Sequence, residues 1–482
     1  MHIKHILKIL GMLLMVFSLT LSTPILVSFW YGDGAYPAFL ISFAITVASG
    51  TLMWMPFANE KGDFRTRDGF LITALFWTVL GLFGSLPFLL SPTPDLTISD
   101  AVFESLSGLT TTGATVITGL DELPKSILFY RQQLQWLGGI GIVVIAIAIL
   151  PMLGVGGMQL YRAETPGPVK DSKLTPRITE TAKALFLIYL LLTVTCGLAY
   201  WLAGMSGFDA ICHAFSTIAI GGFSTHDASM GYFESPTILL IACVYMVVAG
   251  LNFALHFQAL RRNDFTHYAR DSESRFYIYT IFGAAAIVIG YLVWKGTYTL
   301  GDGFTHGLFQ TISIATTAGF ATADFAAWPS FLPFLLLLLS FMGGCGGSTG
   351  GGMKAVRIML LAKQGVRELS QLVHPNAVIP LKVGNRRVEA KVVSAVWSFF
   401  AVYVFAFILI LMLLMATGLD YTTAFSAVVA SINNLGPGLG DVSAHYGDIT
   451  SPAKWILCFS MLLGRLEIFT LLVLFTPAFW RQ

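Results

Sequence analysis

Charged side chains are scarce in this chain of 482 residues: Asp, Glu, Lys and Arg make up only 11% of it, against 55% hydrophobic residues. The mean hydropathy is +0.75. Soluble globular chains carry about one-quarter charged residues, so a chain this poor in charge does not have the composition of a soluble domain. The composition indicates a membrane protein.

Paired cysteines and a basic face are also missing. The net charge is only +2, and the basic residues lie in short loops without interleaved aromatics, so nucleic acid is not expected as a partner. The cysteines are odd in number, lie in apolar stretches and form no CxxC pair, so neither a disulfide framework nor a zinc site is predicted. They are Cys196, Cys212, Cys243, Cys345 and Cys458.

Long apolar runs are abundant, and ten of them are close to or above the roughly 20 residues that span a bilayer as a helix. The first resembles a secretory signal, but its apolar stretch continues past residue 20 without a small-residue cleavage site, so we interpret it as a retained helix. The sequence therefore predicts an all-α polytopic membrane protein. The runs cover residues 7–29, 36–56, 70–91, 126–150, 184–204, 236–256, 276–294, 331–361, 392–417 and 452–479.

The distribution of lysine and arginine predicts the orientation of these crossings. With both termini in the cytoplasm, 23 of the 28 Lys and Arg residues fall on the cytoplasmic side, as the positive-inside rule requires. The basic loop 354–391 is also a candidate docking site for a cytoplasmic regulator. The 23 residues lie in the N-terminal tail, in 57–69, 158–183, 258–275 and 354–391, and at Arg481.

Four shorter apolar segments lie between crossings and are too brief to span the bilayer. Each contains a glycine, with a small residue twelve positions before it and Ser107, Ser216, Ser313 or Ala430 six positions before it. Small residues at helix contacts would explain one such match, but four in equivalent places favour a repeated unit of crossing, re-entrant helix, glycine-bearing strand and crossing. The predicted boundaries are 1–60 for a two-helix N-terminal domain and 61–165, 166–265, 266–375 and 376–482 for four pore repeats.

The predicted strands have the properties of an ion filter. Non-helical backbone at membrane depth is tolerated only where protein buries it or water reaches it, so the four strands belong around one axis. There, carbonyl oxygens can replace the hydration shell of a cation, and each short helix aims the negative end of its dipole at the axis. The predicted filter comprises Thr111, Thr112, Gly113, Ala114, Ile220, Gly221, Gly222, Phe223, Thr317, Ala318, Gly319, Phe320, Asn434, Leu435, Gly436 and Pro437.

A glycine-rich stretch interrupts the run 331–361 and predicts an intramembrane gating loop over residues 343–352. Residues 331–363 would be about 50 Å long as one helix, against a hydrocarbon core of about 30 Å. Close helix packing through glycines is the alternative; a G-x-S-x-G nucleophile elbow or a phosphate loop lacks the required context. The gate residues are Gly343, Gly344, Gly346, Gly347, Ser348, Thr349, Gly350, Gly351 and Gly352, with Ser348 and Thr349 as candidate hydrogen-bonding groups of the closed form.

Arg465 lies about 13 residues into the last span, too deep to reach the interface easily. We expect it to project into the pore beneath the filter and to raise the barrier for a cation. The alternative is a structural pair with Glu467.

Other polar residues lie near the ends of the short helices. Asp100, Asp209 and Asp420 are placed to cap helix starts and to complement the dipole. His213 and His306 are expected to pack or to form hydrogen bonds there rather than to contact ions.

These features resemble the Trk/Ktr/HKT superfamily of potassium transporters over the whole chain, and the two extra N-terminal crossings resemble its TrkH/TrkG branch. The most specific stretches are TTTGATV, AIGGFSTHD, ATTAGFATAD, NNLGPGLGDV, GGSTGGGMK and GRLEIFT. The resemblance implies potassium uptake, since all four filter glycines are present where sodium-preferring relatives tend to carry serine at the first.

The resemblance also implies a homodimer with one pore per protomer, a bacterial inner-membrane location and a cytoplasmic nucleotide-binding ring protein of the TrkA type as gatekeeper. Potassium is the expected transported ligand, and no organic cofactor is expected. A proton- or sodium-coupled secondary transporter is the rival; it would need intramembrane carboxylates, of which Glu467 is the obvious candidate. A membrane-bound enzyme is the second rival, but the histidines do not supply convergent catalytic residues.

Overall fold

The computed structural model describes residues 3–60, 66–149, 178–384 and 386–481. The predicted boundary between residues 165 and 166 and most of the basic loop 158–183 lie outside these ranges. Helices dominate the described chain, and a two-stranded antiparallel hairpin (β1 Lys382–Val383, β2 Arg386–Arg387) joins two of them. The α-helices, in chain order, are α1 Ile3–Thr20, α2 Ser22–Tyr31, α3 Tyr36–Trp54, α4 Thr66–Gly84, α5 Leu86–Leu90, α6 Ile98–Leu109, α7 Lys125–Ile149, α8 Ile178–Leu202, α9 Gly207–Ala219, α10 Pro236–Ala249, α11 Phe253–Arg262, α12 Thr266–Arg270, α13 Ser272–Trp294, α14 Leu300–Ala315, α15 Leu332–Ser340, α16 Ala355–Val373, α17 Ala390–Ala416, α18 Tyr421–Ile432, α19 Ser451–Arg465, α20 Phe469–Leu472 and α21 Pro477–Trp480. Short 3-10 helices cover Met55–Phe57, Leu120–Glu122, Ser229–Tyr232, Phe325–Ala327, Gly440–Val442 and Val473–Phe475.

Six spans within the described ranges are continuous, long and apolar enough to cross a membrane. Two further spans are broken: α10 and α11 meet at 96°, and α19 meets the segment Phe469–Phe475 at 110°. The other two predicted crossings correspond to α7 and to the pair α15 and α16, which the glycine-rich stretch separates. The predicted all-α polytopic fold is confirmed.

The four short helices α6, α9, α14 and α18 lie between spans and are almost wholly buried along their second halves. Their starts show that the predicted capping role was wrong in detail for two aspartates. The hydroxyls of Thr97 and Ser206 accept from the backbone N–H groups of Asp100 and Asp209, so each hydroxyl residue is the cap and each aspartate lies in the first turn. Asp420 is itself a cap and accepts from two backbone N–H groups.

Candidate functional site

A glycine-bearing segment follows each of the four buried helices, and all four segments have the same backbone pattern. The glycine has a positive φ, and so does the residue two positions before it. Alternating between left-handed and extended residues lets consecutive carbonyls point to the same side of a strand. The pairs are Thr111 and Gly113 (φ 54° and 78°), Ile220 and Gly222 (54° and 82°), Thr317 and Gly319 (68° and 81°), and Asn434 and Gly436 (53° and 97°).

The four glycines form a closed ring in chain order. A Cβ added at Gly113, Gly222 or Gly319 would overlap the carbonyl oxygen of Gly221, Ala318 or Leu435 respectively, and each of those oxygens belongs to the next segment. The ring closes because a Cβ added at Gly436 would lie 2.7 Å from the carbonyl oxygen of Thr112. The strands therefore surround one axis, and glycine is needed both for its positive φ and for lack of space.

One backbone hydrogen bond recurs in all four segments and ties the strand to its helix. The N–H before the glycine donates to the carbonyl six residues before the glycine. The residue six positions before each glycine therefore contributes its backbone carbonyl to this bond. A serine hydroxyl is not required for it, which explains why the fourth segment has Ala430 at this position. The donors are Thr112, Gly221, Ala318 and Leu435, with N···O distances of 2.9, 2.8, 2.7 and 2.7 Å.

Some carbonyls of the predicted filter also accept bonds from neighbouring side chains. The Gln135 amide donates to Gly221 O (2.6 Å), the Tyr446 hydroxyl donates to Gly436 O (2.7 Å), and the Ser313 hydroxyl donates to Phe320 O (2.7 Å). A carbonyl oxygen has two lone pairs, so the first two can still face the axis. Gln135 is 86 residues from its partner and Tyr446 is ten residues from its partner, and sequence reasoning missed both; Ser313 was singled out from its spacing, but not for this bond.

A buried ion pair that sequence reasoning missed supports the first two strands. Arg131 Nε lies 2.8 Å from Glu104 Oε1, and both side chains are at most 1% exposed. Glu104 also accepts from Val116 N, and Arg131 also donates to Ser224 O. The guanidinium packs over the Phe223 ring with 4.2 Å to its centroid. The pair therefore fixes the strands just beyond Gly113 and Gly222.

A second polar cluster lies beyond the second strand. It joins His226 and Asp121, which are outside the spanning helices, to Asp209 in the first turn of α9. His226 Nδ1 pairs with Asp121, and its Nε2 lies 3.4 Å from Asp209. Burial alone would lower the pKa of His226, but hydrogen bonds and charge from the two aspartates outweigh burial and raise it. Burial likewise opposes ionisation of Asp121, yet the bond from His226 lowers its pKa. The predicted hydrogen-bonding role of His213 agrees with its bonds to Asp209 O and to Ser224 Oγ (both 2.9 Å).

The predicted gating loop packs against the C-terminal ends of three of the four short helices. Thr349 Oγ1 donates to Ile218 O (2.9 Å), Gly351 N donates to Thr317 Oγ1 (2.7 Å), and Gly352 N donates to Asn433 O (3.0 Å). Ser348 bonds within the loop, to Cys345 O. The loop thus lies directly against the start of the strands, at the end where the helix dipoles are negative.

Arg465 connects the first strand, the loop and helix α7. Its guanidinium donates to Thr111 Oγ1 (3.2 Å), to Thr349 O (3.3 Å) and to the carbonyls of Gly138 and Gly139. Helix α7 is kinked at Gly141, where φ is 67° and ψ is −177°. Kinks occur where a side chain inserts into the helical hydrogen-bond ladder, and Arg465 bonds to two carbonyls in the turn before this kink.

The carboxylate of Glu467, predicted as an alternative partner of Arg465, forms an ion pair with Arg357 on α16. This pair joins the break after α19 to the first turn after the loop. The other broken span also meets the loop, because Cys345 N donates to Gly250 O (2.8 Å) and Phe253 N donates to Gly347 O (3.1 Å).

Comparison with known proteins agrees with this geometry. A family model described as cation transport protein, TrkH, matches residues 35–482. The chain belongs to the TrkH family. It is 59% identical over 482 residues to the Trk system potassium uptake protein TrkH of Halomonas elongata and 56% identical over 483 residues to that of Escherichia coli, with 100% of each chain covered. Its fold matches the crystal structure of the potassium transporter TrkH from Vibrio parahaemolyticus with a TM-score of 0.91 and 54% identity, again over 100% of both chains. These TrkH relatives are named as transporters, not as enzymes.

Proposed function

We propose that the protein carries potassium ions into the cell across the bacterial inner membrane, through a pore whose filter is the ring of four glycine strands. The observation that carries the proposal is the closure of that ring, in which each glycine meets the carbonyl of the next strand and the fourth meets the first. Carbonyl oxygens around one axis can replace the hydration shell of a monovalent cation. The TrkH relatives that cover the whole chain are named for potassium uptake.

In this proposal the filter oxygens come from backbone, while side chains hold the strands. This division explains why the four stretches TTGA, IGGF, TAGF and NLGP agree only in the glycine. The side chains of Phe223 and Phe320 are buried, and the Phe223 ring packs against the Arg131 guanidinium. Gln135 and the pair Glu104–Arg131 then serve to keep the strands at a fixed spacing.

The loop 343–352 and Arg465 are proposed as the gate. The loop bonds to the ends of three short helices, and Arg465 bonds to both the loop and the first filter strand. A loop in this place obstructs the path of an ion that leaves the filter, and a cationic guanidinium beside it adds an electrostatic barrier. Conduction then requires the loop to move.

Passive conduction is favoured over coupling to protons or sodium. A coupled transporter needs an intramembrane carboxylate that can change its charge, and Glu467, the candidate from the sequence, is engaged in an ion pair with Arg357. Glu467 thus makes a structural contact between α16 and the break after α19. We therefore propose a gated channel-like pore.

The proposal extends to assembly and control. The positive-inside distribution of lysine and arginine supports cytoplasmic N- and C-termini. We further propose a homodimer with one pore in each protomer and a cytoplasmic nucleotide-binding ring protein of the TrkA type as the gatekeeper, with the cytoplasmic segment around α16 and the hairpin as its docking region.

Rubidium-tracer flux into liposomes that contain the purified protein tests the proposal. Potassium and sodium are compared as competitors without a proton gradient, with protein-free liposomes as the control. Uptake that potassium blocks and sodium does not is the expected result. Uptake that requires a proton or sodium gradient would reject the passive pore in favour of the coupled transporter, and equal competition by sodium would reject the potassium filter.

A further inference from the structure

A carboxylate that lies outside the filter binds both the glycine-rich loop and the helix that follows it. Glu273 is partly buried in the first turn of α13. Its Oε1 accepts a hydrogen bond from Gly346 N at 2.7 Å and a second from Val356 N at 3.1 Å. One oxygen atom thus ties the beginning of the loop to the first turn of the helix that follows it.

The two donors differ in what they gain from this bond. Val356 is in the first turn of α16, where backbone N–H groups lack intrahelical partners and favour a negative charge. Gly346 is in the loop itself, ten residues earlier, so its N–H is not part of a helix. The bond to Val356 therefore orients the carboxylate, and the bond to Gly346 restrains the loop.

Most other contacts to the loop involve the filter or are made by backbone alone. The Lys354 side chain, outside the filter, also reaches the loop, where it donates to Gly350 O. Thr317 and Arg465 reach the loop, but Thr317 belongs to a filter strand and Arg465 also bonds to Thr111. The bonds from Cys345 to Gly250 and from Phe253 to Gly347 are backbone to backbone. The described hydrogen bonds of the Glu273 side chain go to the loop and to α16, so changing it leaves the filter strands as they are.

We propose that Glu273 is a positioning residue that latches the loop in its obstructing position, and that its bond to Gly346 breaks when the pore opens. The inference rests on the proposed role of the loop as the gate. It predicts that weakening this one acceptor releases the loop without altering the selectivity of the filter.

Cys345 provides a native reporter of loop release, because it is next to Gly346 and its side chain is fully buried. The full-length protein in liposomes is treated with a membrane-impermeant thiol reagent, and labelling of each cysteine is quantified by mass spectrometry. The other four cysteines are also buried and serve as internal controls. Rubidium flux and its competition by potassium and sodium are measured on the same preparations.

Two variants and one matched control separate the latch from a general loss of charge. Glu273→Met keeps the length of the side chain and removes both the charge and the acceptor, whereas Glu273→Gln keeps an acceptor oxygen without the charge. Glu389→Met is the control, because Glu389 is an exposed carboxylate at the start of α17 and its side chain makes no cap hydrogen bond there.

We expect labelling of Cys345 and basal flux to rise about tenfold in Glu273→Met, the shift expected from loss of one charge-assisted hydrogen bond. Glu273→Gln should shift both in the same direction by less, and Glu389→Met should match the wild type. Unchanged Cys345 labelling in both Glu273 variants would overturn the latch, and a lower melting temperature with unchanged labelling would assign Glu273 to capping α16 alone. If labelling rises while flux stays constant, the latch stands and the proposed gate fails.

Discussion

Replacement of Arg465 by alanine should accelerate ion flux, and the structure allows the size of the effect to be worked out. The guanidinium Nη1 lies 3.2 Å from Thr111 Oγ1, and Thr111 is two residues before Gly113. Because a residue spans at most about 3.3 Å along the chain, the charge is within about 10 Å of the ring of carbonyls. At an effective dielectric constant of about 20, two unit charges at that distance repel by about 1.7 kcal/mol, or roughly 17-fold in ion occupancy.

The same substitution removes a second restraint, because Arg465 also donates to Thr349 O in the loop. A charged hydrogen bond of this kind contributes about 1.5–3 kcal/mol, so the loop should also open more often. Arg465→Lys separates the two effects, since lysine keeps the charge but cannot reproduce the fork of donors. Arg465→Gln removes the charge and keeps some hydrogen-bonding capacity.

Rubidium flux in liposomes at matched protein density, with potassium as competitor, measures these effects. If the charge dominates, Arg465→Lys should resemble the wild type and Arg465→Gln should resemble Arg465→Ala. If the tether to the loop dominates, Arg465→Lys should conduct as fast as Arg465→Ala. A folded Arg465→Ala protein with the flux of the wild type would refute both parts of the reasoning.

Further predictions concern the filter, its support and its outer loops. Gly319→Ser should abolish the preference for potassium over sodium in competition assays, because glycine at φ 81° has no space for a Cβ. Glu104→Gln should lower the melting temperature through a loss of about 3–5 kcal/mol, because it leaves the buried charge of Arg131 without its partner. The pKa of His226 is raised in the folded protein, so its protonated form contributes stability fully below about pH 6.5. That contribution is lost as the pH rises through the raised value, and thermal melts from pH 6 to 9 should show it for the wild type but not for His226→Asn.

Each of these predictions has a result that contradicts it. Gly290→Ser is the control for the filter, because Gly290 has a negative φ and open space around it; equal selectivity in both serine variants would argue against the ring. An unchanged melting temperature of Glu104→Gln would mean that water or another group neutralises or solvates the buried charge of Arg131 in place of Glu104. Parallel pH profiles of the wild type and His226→Asn would remove His226 as the titrating group.

Sequence reasoning located the four glycine-bearing segments and the glycine-rich break because their signals are local. The glycine pattern marks the four strands, since positive φ leaves little choice of residue, and the excess length of residues 331–363 marks the loop. It missed Glu104 and Arg131, because they are 27 residues apart and only the fold brings them together. It also missed Glu273. This glutamate lies in the basic segment 258–275, where a charged residue is expected to be on the surface.

Two details show where local signals are ambiguous. An aspartate near a helix start fits either the cap or the first turn, and a shift of three residues separates Asp420 from Asp100. The sequence shows a small residue six positions before each glycine. It does not show that the backbone carbonyl of this residue accepts the hydrogen bond that ties the strand to its helix. The bond common to all four segments belongs to the main chain, and only Ser313 adds a bond from its side chain, to Phe320 O.

The closed ring of strands also has a consequence for biosynthesis. Its last junction joins the fourth strand to the first: Asn434 Nδ2 donates to Thr112 Oγ1 at 3.0 Å, across 322 residues of chain. The ribosome has therefore made almost the entire protein before the first strand can meet its final neighbour. A nascent chain that stops before residue 436 lacks the fourth glycine, so the ring can close only when translation is nearly complete.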